Sequence, residues 1–356
     1  MKIAIVGLPN AGKSTLFNAI SGGSVATADY PFTTVDPNVA VVNVPDRRLE
    51  AVALATGATP LVHETLELHD VAGLVRDAHA GEGLGNQFLG AIRETDAICH
   101  VVRAHSDEGV PHPDGRINPI HDLETVEAEL LLADLEVAER RLERVRKQAG
   151  SGDEEATAEA EWLDDVIEAL RRGEPARAIA APEIAAEAPG RLQALTSKPV
   201  LIVANVDEGA GLSEELGDRA EEAGGHAVAV SARIEAELTE LDPEEAAEMR
   251  AGLGVDETSL EVLVQAAYEL LDLVTFYTAH EGSEARARSL PRGGTAWDAA
   301  GRVHGDIQDG FVRAEVINWQ RLAEAGGYAA VRDSGELRTE GRGYVVTDGD
   351  VITIKV

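Results

Sequence analysis

The chain is poor in the residues that would tie it to an oxidising compartment or to a membrane. It has a single cysteine, Cys99, within an apolar run, so no intramolecular disulfide can form and a buried thiol is expected. No apolar stretch approaches the roughly 18 residues that a membrane span needs, and the sequence enters a strand pattern with no basic-then-apolar leader, so a cytoplasmic protein is expected. Aromatic residues make up only 4% of the chain, and lysine is confined to Lys2, Lys13, Lys147, Lys198 and Lys355. Arginine carries most of the positive charge, and the formal net charge is −33. Such an acidic surface opposes non-specific nucleic-acid binding, so any RNA contact needs a local basic patch. What is present is 356 residues with 44% hydrophobic content, enough for two or three domains with their own cores.

The organising stretch is Gly7-Leu8-Pro9-Asn10-Ala11-Gly12-Lys13-Ser14, a G-x-x-x-x-G-K-S pattern. It follows the apolar run Ile3–Val6 and precedes a helical pattern from Lys13 to Ile20. Strand, glycine-rich turn and helix are the context of a phosphate-binding loop, whose amides and helix dipole hold an anion. In that arrangement Lys13 reaches the β/γ oxygens and the Ser14 hydroxyl ligates Mg²⁺. The pattern implies a nucleotide-binding protein.

Other segments fall in the order such a site requires. A proline-bounded loop from Asp29 to Asn38 carries Thr34, with Thr33 as the alternate, where switch proteins place a threonine that ligates Mg²⁺ and senses the γ-phosphate. Leu61 to Leu68 alternates as one strand and leads into Asp70-Val71-Ala72-Gly73, with Asp70 expected to hold Mg²⁺ through water and the Gly73 amide to meet the γ-phosphate. Leu74 follows, where a glutamine would orient attacking water, so His79 is the candidate for that role. Pro199–Ala204 reads as a buried strand running into Asn205-Val206-Asp207-Glu208. A guanine-specific site has N-K-x-D here. Val206 and Glu208 depart from it, which weakens the case for guanine without establishing adenine. Ser231-Ala232 follows a short strand, where backbone amides can reach a base.

Between these segments, helical patterns from about Ile120 to Gln148 and from Asp153 to Arg172 flank Gly150-Ser151-Gly152 and predict a helical hairpin. Its tip carries Arg140, Arg141, Arg144, Arg146 and Lys147. Beyond Leu273 the pattern becomes strand-rich with one or two helices, as in a small β-grasp module.

These motifs, with Tyr30-Pro31-Phe32-Thr33-Thr34, Gly83-Leu84-Gly85-Asn86 and the C-terminal Gly310–Val316 and Asp348-Gly349-Asp350-Val351, resemble the YchF, or Obg-like ATPase, family across nearly the whole chain. The resemblance implies an α/β P-loop NTPase G domain at 1–119 plus 190–273, an inserted α-helical hairpin at 120–189, and a ubiquitin-like TGS domain at 274–356. It implies a Mg²⁺-dependent ATPase switch with slow intrinsic turnover that binds ribosomes, with K⁺ stimulation through Asn10. Lys13, Gly73 and His79 would be catalytic, and Ser14, Thr34 and Asp70 would hold the metal. Nucleotide contacts would come from Asn10, Ala11, Gly12, Lys13, Ser14 and Thr15, with Asn205, Val206, Glu208, Ser231 and Ala232 around the base. RNA contact through the helical tip and the TGS module, a monomer, and no membrane association complete the expectation. A GTPase of the same fold and a non-catalytic, nucleotide-gated ribosome adaptor are the alternatives.

Overall fold

A computed structural model describes residues 1–22, 38–71, 84–107, 109–113, 115–150, 152–253 and 258–356. The chain divides into two compact units, Met1–Val42 with Glu67–Ala267, and Asn43–Leu66 with Tyr268–Val356.

The first unit is built on strands β1 (Lys2–Val6), β2 (Val39–Asn43), β4 (Thr65–Asp70), β5 (Ala97–Arg103), β6 (Val200–Asn205) and β7 (His226–Val230); the short β3 (Leu61–Val62) belongs to the second unit. The sheet order is β2-β4-β1-β5-β6-β7, with β4, β1, β5, β6 and β7 parallel. The apolar runs Ile3–Val6 and Leu201–Ala204 are buried throughout, as expected of strands covered on both faces. From β1 the chain goes out to the edge strand β2, comes back to β4 beside β1, and then crosses to add β5 on the other side. The crevice beyond the carboxyl ends of these strands is where such sheets take ligands. The phosphate-loop sequence emerges there, between β1 and helix α1 (Lys13–Gly22).

Beyond α3 (Leu84–Arg93), helices α4 (Pro119–Ala149) and α5 (Glu154–Arg171) form the hairpin, with Asn118 and Asp153 as side-chain N-caps. Ala138, Leu142 and Val145 pack against Ala156, Ala160, Leu163, Val166 and Leu170, so the 3.6-residue apolar stripe of each helix is buried against the other. At the base of the hairpin the fully buried Asp134 accepts hydrogen bonds from the Leu195 and Thr196 amides at 2.8 and 2.7 Å and from the Thr196 hydroxyl at 2.8 Å.

The second unit is a six-stranded sheet of order β11-β10-β12-β8-β9-β3, formed by β8 (Leu273–Thr278), β9 (Ala285–Pro291), β10 (Arg313–Asn318), β11 (Arg338–Glu340), β12 (Asp350–Lys355) and β3. The β8–β9 hairpin is antiparallel, the last strand β12 lies parallel to β8, and β10 runs antiparallel to β12, a β-grasp arrangement. Alternation along β8 separates two cores. Phe276 packs with Ala296, Ala299 and Ala300 of the helix Ala296–Val303, and Tyr277 packs with Leu49, Val52 and Ala53 of α2 (Arg47–Thr56).

Two units replace the three sequence-based domains: residues 43–66, expected in the G domain, fold with the C-terminal unit, and the hairpin at 120–189 groups with the first unit. The predicted single strand Leu61–Leu68 is accordingly two strands in two sheets, broken at His63 and Glu64. The Glu64 carboxylate accepts from the Ser289 amide at 2.7 Å and its hydroxyl at 2.9 Å, which fixes the break. Asp46, the N-cap of α2, accepts from the Tyr277 hydroxyl at 2.6 Å and from Arg48, whose other arm meets Asp348 at 2.6 Å.

Candidate nucleotide site

Gly7 and Gly12 take φ of +150° and +99° in the loop after β1. A Cβ at Gly7 would collide with the Val101 carbonyl oxygen, and one at Gly12 with the Asn205 side-chain amide, so both positions demand glycine. Asn10 is left-handed at φ +65°, and its amide donates to the Pro111 carbonyl at 2.9 Å. The Lys13 side chain folds across the loop and is buried, its ammonium donating to the Gly7 and Leu8 carbonyls at 3.0 and 2.9 Å. Burial lowers the Lys13 pKa, partly offset by the Asp70 carboxylate.

Asp70 ends β4. Burial raises its pKa, opposed by the nearby Lys13 ammonium and Ser14 hydroxyl. Lys13, Ser14 and Asp70 are therefore brought together as the sequence motifs require. Among the described residues no cluster of three or more His, Cys, Asp or Glu side chains could hold a metal by itself. The oxygen donors of Ser14 and Asp70 suit a hard cation that completes its shell with water and phosphate oxygens.

A cavity of about 760 Å³ runs from this loop toward the ends of β6 and β7. At one end it is lined by Asn10, Gly12, Lys13, Ser14 and Thr15, and at the other by Asn205, Val206, Glu208, Ser231 and Ala232. Ala11 is buried behind the loop, and its carbonyl accepts from the Asn205 Nδ2 at 3.1 Å. The Asn205 Oδ1 accepts from the Ala232 amide at 3.1 Å. Asn205 thus fastens the phosphate loop to the turn after β7, with one N–H and one lone pair left over, and the Ala232 amide is already engaged. Val206 is buried among Leu123, Leu216 and Ala220 and shows the cavity little more than its backbone. Glu208 is exposed at the rim.

Thr34, Gly73 and His79 lie outside the described residues, as do Thr33 and Leu74. One part of the cavity escaped the sequence reading. His105, Asp107 and Val110, in the stretch beyond β5 to which the sequence assigned no role, also line it, as do Arg233, Glu237 and Glu240 of the helix Ala232–Glu240. The available signal was Arg103, a charge closing the buried strand Ala97–Val102.

The basic hairpin tip is more neutralised than its composition suggests. Arg141 pairs with Glu159, Arg146 with Asp164 at 2.8 Å and Arg140 with Glu136 at 3.3 Å. In the C-terminal unit Arg286 pairs with Glu284 and Arg292 with Asp272, each at 2.7 Å. Among the described residues no helix is long and apolar enough to cross a membrane.

Comparison with known proteins gives two family models. One described as "50S ribosome-binding GTPase" matches residues 2–134, and the C-terminal YchF-GTPase model, described as "Protein of unknown function (DUF933)", matches residues 273–356. "Ribosome-binding ATPase YchF" of Bacillus subtilis is 45% identical over 98% of this chain and 97% of its own length. The protein of the same name from Escherichia coli O157:H7 is 41% identical over 99% and 98%. A solved structure titled as the Schizosaccharomyces pombe YchF GTPase superposes with a TM-score of 0.85 at 33% identity, covering 100% of this chain and 97% of that one.

Proposed function

The chain belongs to the YchF family, and from that premise we propose that it is a Mg²⁺-dependent ATPase that binds ribosomes and uses its nucleotide as a switch. The observation that carries the reading is a buried lysine whose ammonium is held by the Gly7 and Leu8 carbonyls, in a loop whose Gly7 and Gly12 leave no room for a side chain, at one end of a 760 Å³ cavity. P-loop NTPases generally use Mg²⁺, which when bound neutralises charge on the β/γ oxygens. Here Ser14 and Asp70 would hold it, with Thr34 as a further ligand.

The chain's own residues do the rest. Lys13 and the loop amides would stabilise negative charge on the transferred phosphoryl group. Gly73 and Thr34 would report loss of the γ-phosphate to the rest of the chain. With Leu74 in place of a water-orienting glutamine, His79 is the group assigned to position water, and intrinsic turnover is slow. ATP is favoured because neither Val206 nor Glu208 supplies the lysine and aspartate that grip guanine. The Asn10 side-chain oxygen is the proposed K⁺ ligand. Ribosomal RNA would meet the hairpin tip and the C-terminal module, with the chain acting as a monomer.

The test is phosphate release from ATP and GTP, with and without ribosomes, by the wild-type chain and by Lys13→Ala. The variant should lose hydrolysis by about a hundredfold or more and bind triphosphate more weakly. Unchanged turnover would remove Lys13 from the catalytic site.

A further inference from the structure

We propose that Arg103 is a positioning residue for the nucleotide, setting the wall of the cavity that faces the nucleoside. The inference rests on the nucleotide reading of this cavity. Arg103 closes β5 and is buried. Its guanidinium spends its donors on main-chain carbonyls: Nη2 to Asp107 at 2.6 Å, Nη1 to Val110 at 2.7 Å and Nε to His105 at 3.4 Å. These are the same three residues that this stretch contributes to the cavity lining. One buried cation therefore fixes the backbone at each point where the wall meets the cavity.

Two further bonds show which part of the nucleotide the wall faces. The Ser106 amide donates to the Asp207 carboxylate at 3.0 Å, tying one end to the Asn205–Glu208 motif. That contact also holds the Asp207 pKa below the usual carboxylate range. The Pro111 carbonyl accepts from Asn10 of the phosphate loop at 2.9 Å, tying the other end there. His105 and Asp107 therefore lie toward the base-side motif, away from the phosphates. A guanidinium suits this task because its donors diverge in a rigid plane and reach several carbonyls at once, whereas an ammonium is a point donor. A buried cation is costly, and the carbonyls that Arg103 engages fit a role in holding this wall in place before the ligand arrives.

The experiment titrates ATP and inorganic tripolyphosphate, both with Mg²⁺, against the full-length wild type, Arg103→Lys, Asp207→Ala, Asp207→Asn and Lys13→Ala, with KM and kcat for ATP alongside. Arg103→Lys and Asp207→Ala should raise the ATP Kd and KM about tenfold or more, as expected for losing a charge-assisted hydrogen bond. Their tripolyphosphate affinity and kcat should change far less. Asp207→Asn keeps an oxygen acceptor for Ser106 and should recover most of the ATP affinity lost in Asp207→Ala. Equal weakening of both ligands in the Arg103 and Asp207 variants would mean general damage and overturn the proposal, as would unchanged ATP affinity. Lys13→Ala should weaken both ligands. If it weakens neither, the nucleotide reading of the cavity fails, and the role of Arg103 fails with it.

Discussion

Beneath the phosphate loop lies a residue whose chemistry can be read in isolation. His100 sits in β5 beside Val6 of β1, is buried, and its Nε2 has no hydrogen-bond partner among the described residues. Burial and the nearby Lys13 ammonium push its pKa down to about 3 from an ordinary 6.5. The unfolded chain therefore takes up this proton first as pH falls. Stability from this group is intact above pH 6.5 and is lost progressively toward pH 3, by at most about 1.4 kcal/mol per pH unit. Urea denaturation of the wild type and His100→Leu between pH 7 and pH 4 tests this. The variant should show the shallower acid loss, and parallel curves would mean that His100 does not bind its proton differently in the two states. Cys99, one residue earlier, has its thiol pushed up to about 12 by burial and should remain inert to alkylation in the folded chain.

Elements are positioned by a few buried polar contacts that local pattern does not reveal. Asp134 anchors the hairpin through three accepted hydrogen bonds. Asp134→Ala strands those donors and should cost about 3 kcal/mol in chemical denaturation, with Asp134→Asn costing less. Equal stability of wild type and Asp134→Ala would show that the anchor is dispensable. At the other end, Arg141 shares Glu159 with Arg191, so reversing its charge would disturb the hairpin as well as any RNA contact. Arg144 and Lys147 make the cleaner pair: changing both to Glu should weaken ribosome binding and flatten its salt dependence, whereas wild-type binding would place the contact elsewhere. The phosphate loop, Asp70, the hairpin and the β8–β9 module were legible because each is written in local spacing: fixed glycines, a 3.6-residue stripe, a strand ending in D-x-x-G. Two features were not. The apolar face of α2 looks the same whichever core it joins, and its packing with residues such as Tyr277, Ile317 and Leu322 places it in the second unit. The wall beyond β5 is held by Arg103 through main-chain carbonyls, which leave no mark on the identities of the residues held.

On the scale of the whole molecule, the chain threads from the first unit into the second and back between its two phosphate-side motifs. Residues 43–66 lie in sequence between the Thr34 loop and Asp70, yet they supply α2 and β3 to the C-terminal unit. At a formal −33 the chain's charge opposes encounter with an RNA surface, so ribosome binding should rely on local basic groups. The 760 Å³ cavity is proposed to hold ATP in preference to GTP, with ribosomes acting on that state. An equilibrium titration of labelled ATP and GTP against the wild-type chain, alone and with ribosomes, measures this. The Kd for ATP should be the lower in both conditions, with ATP occupancy changing ribosome affinity. A Kd for GTP about tenfold below that for ATP, a preference worth roughly 1.4 kcal/mol, would contradict it.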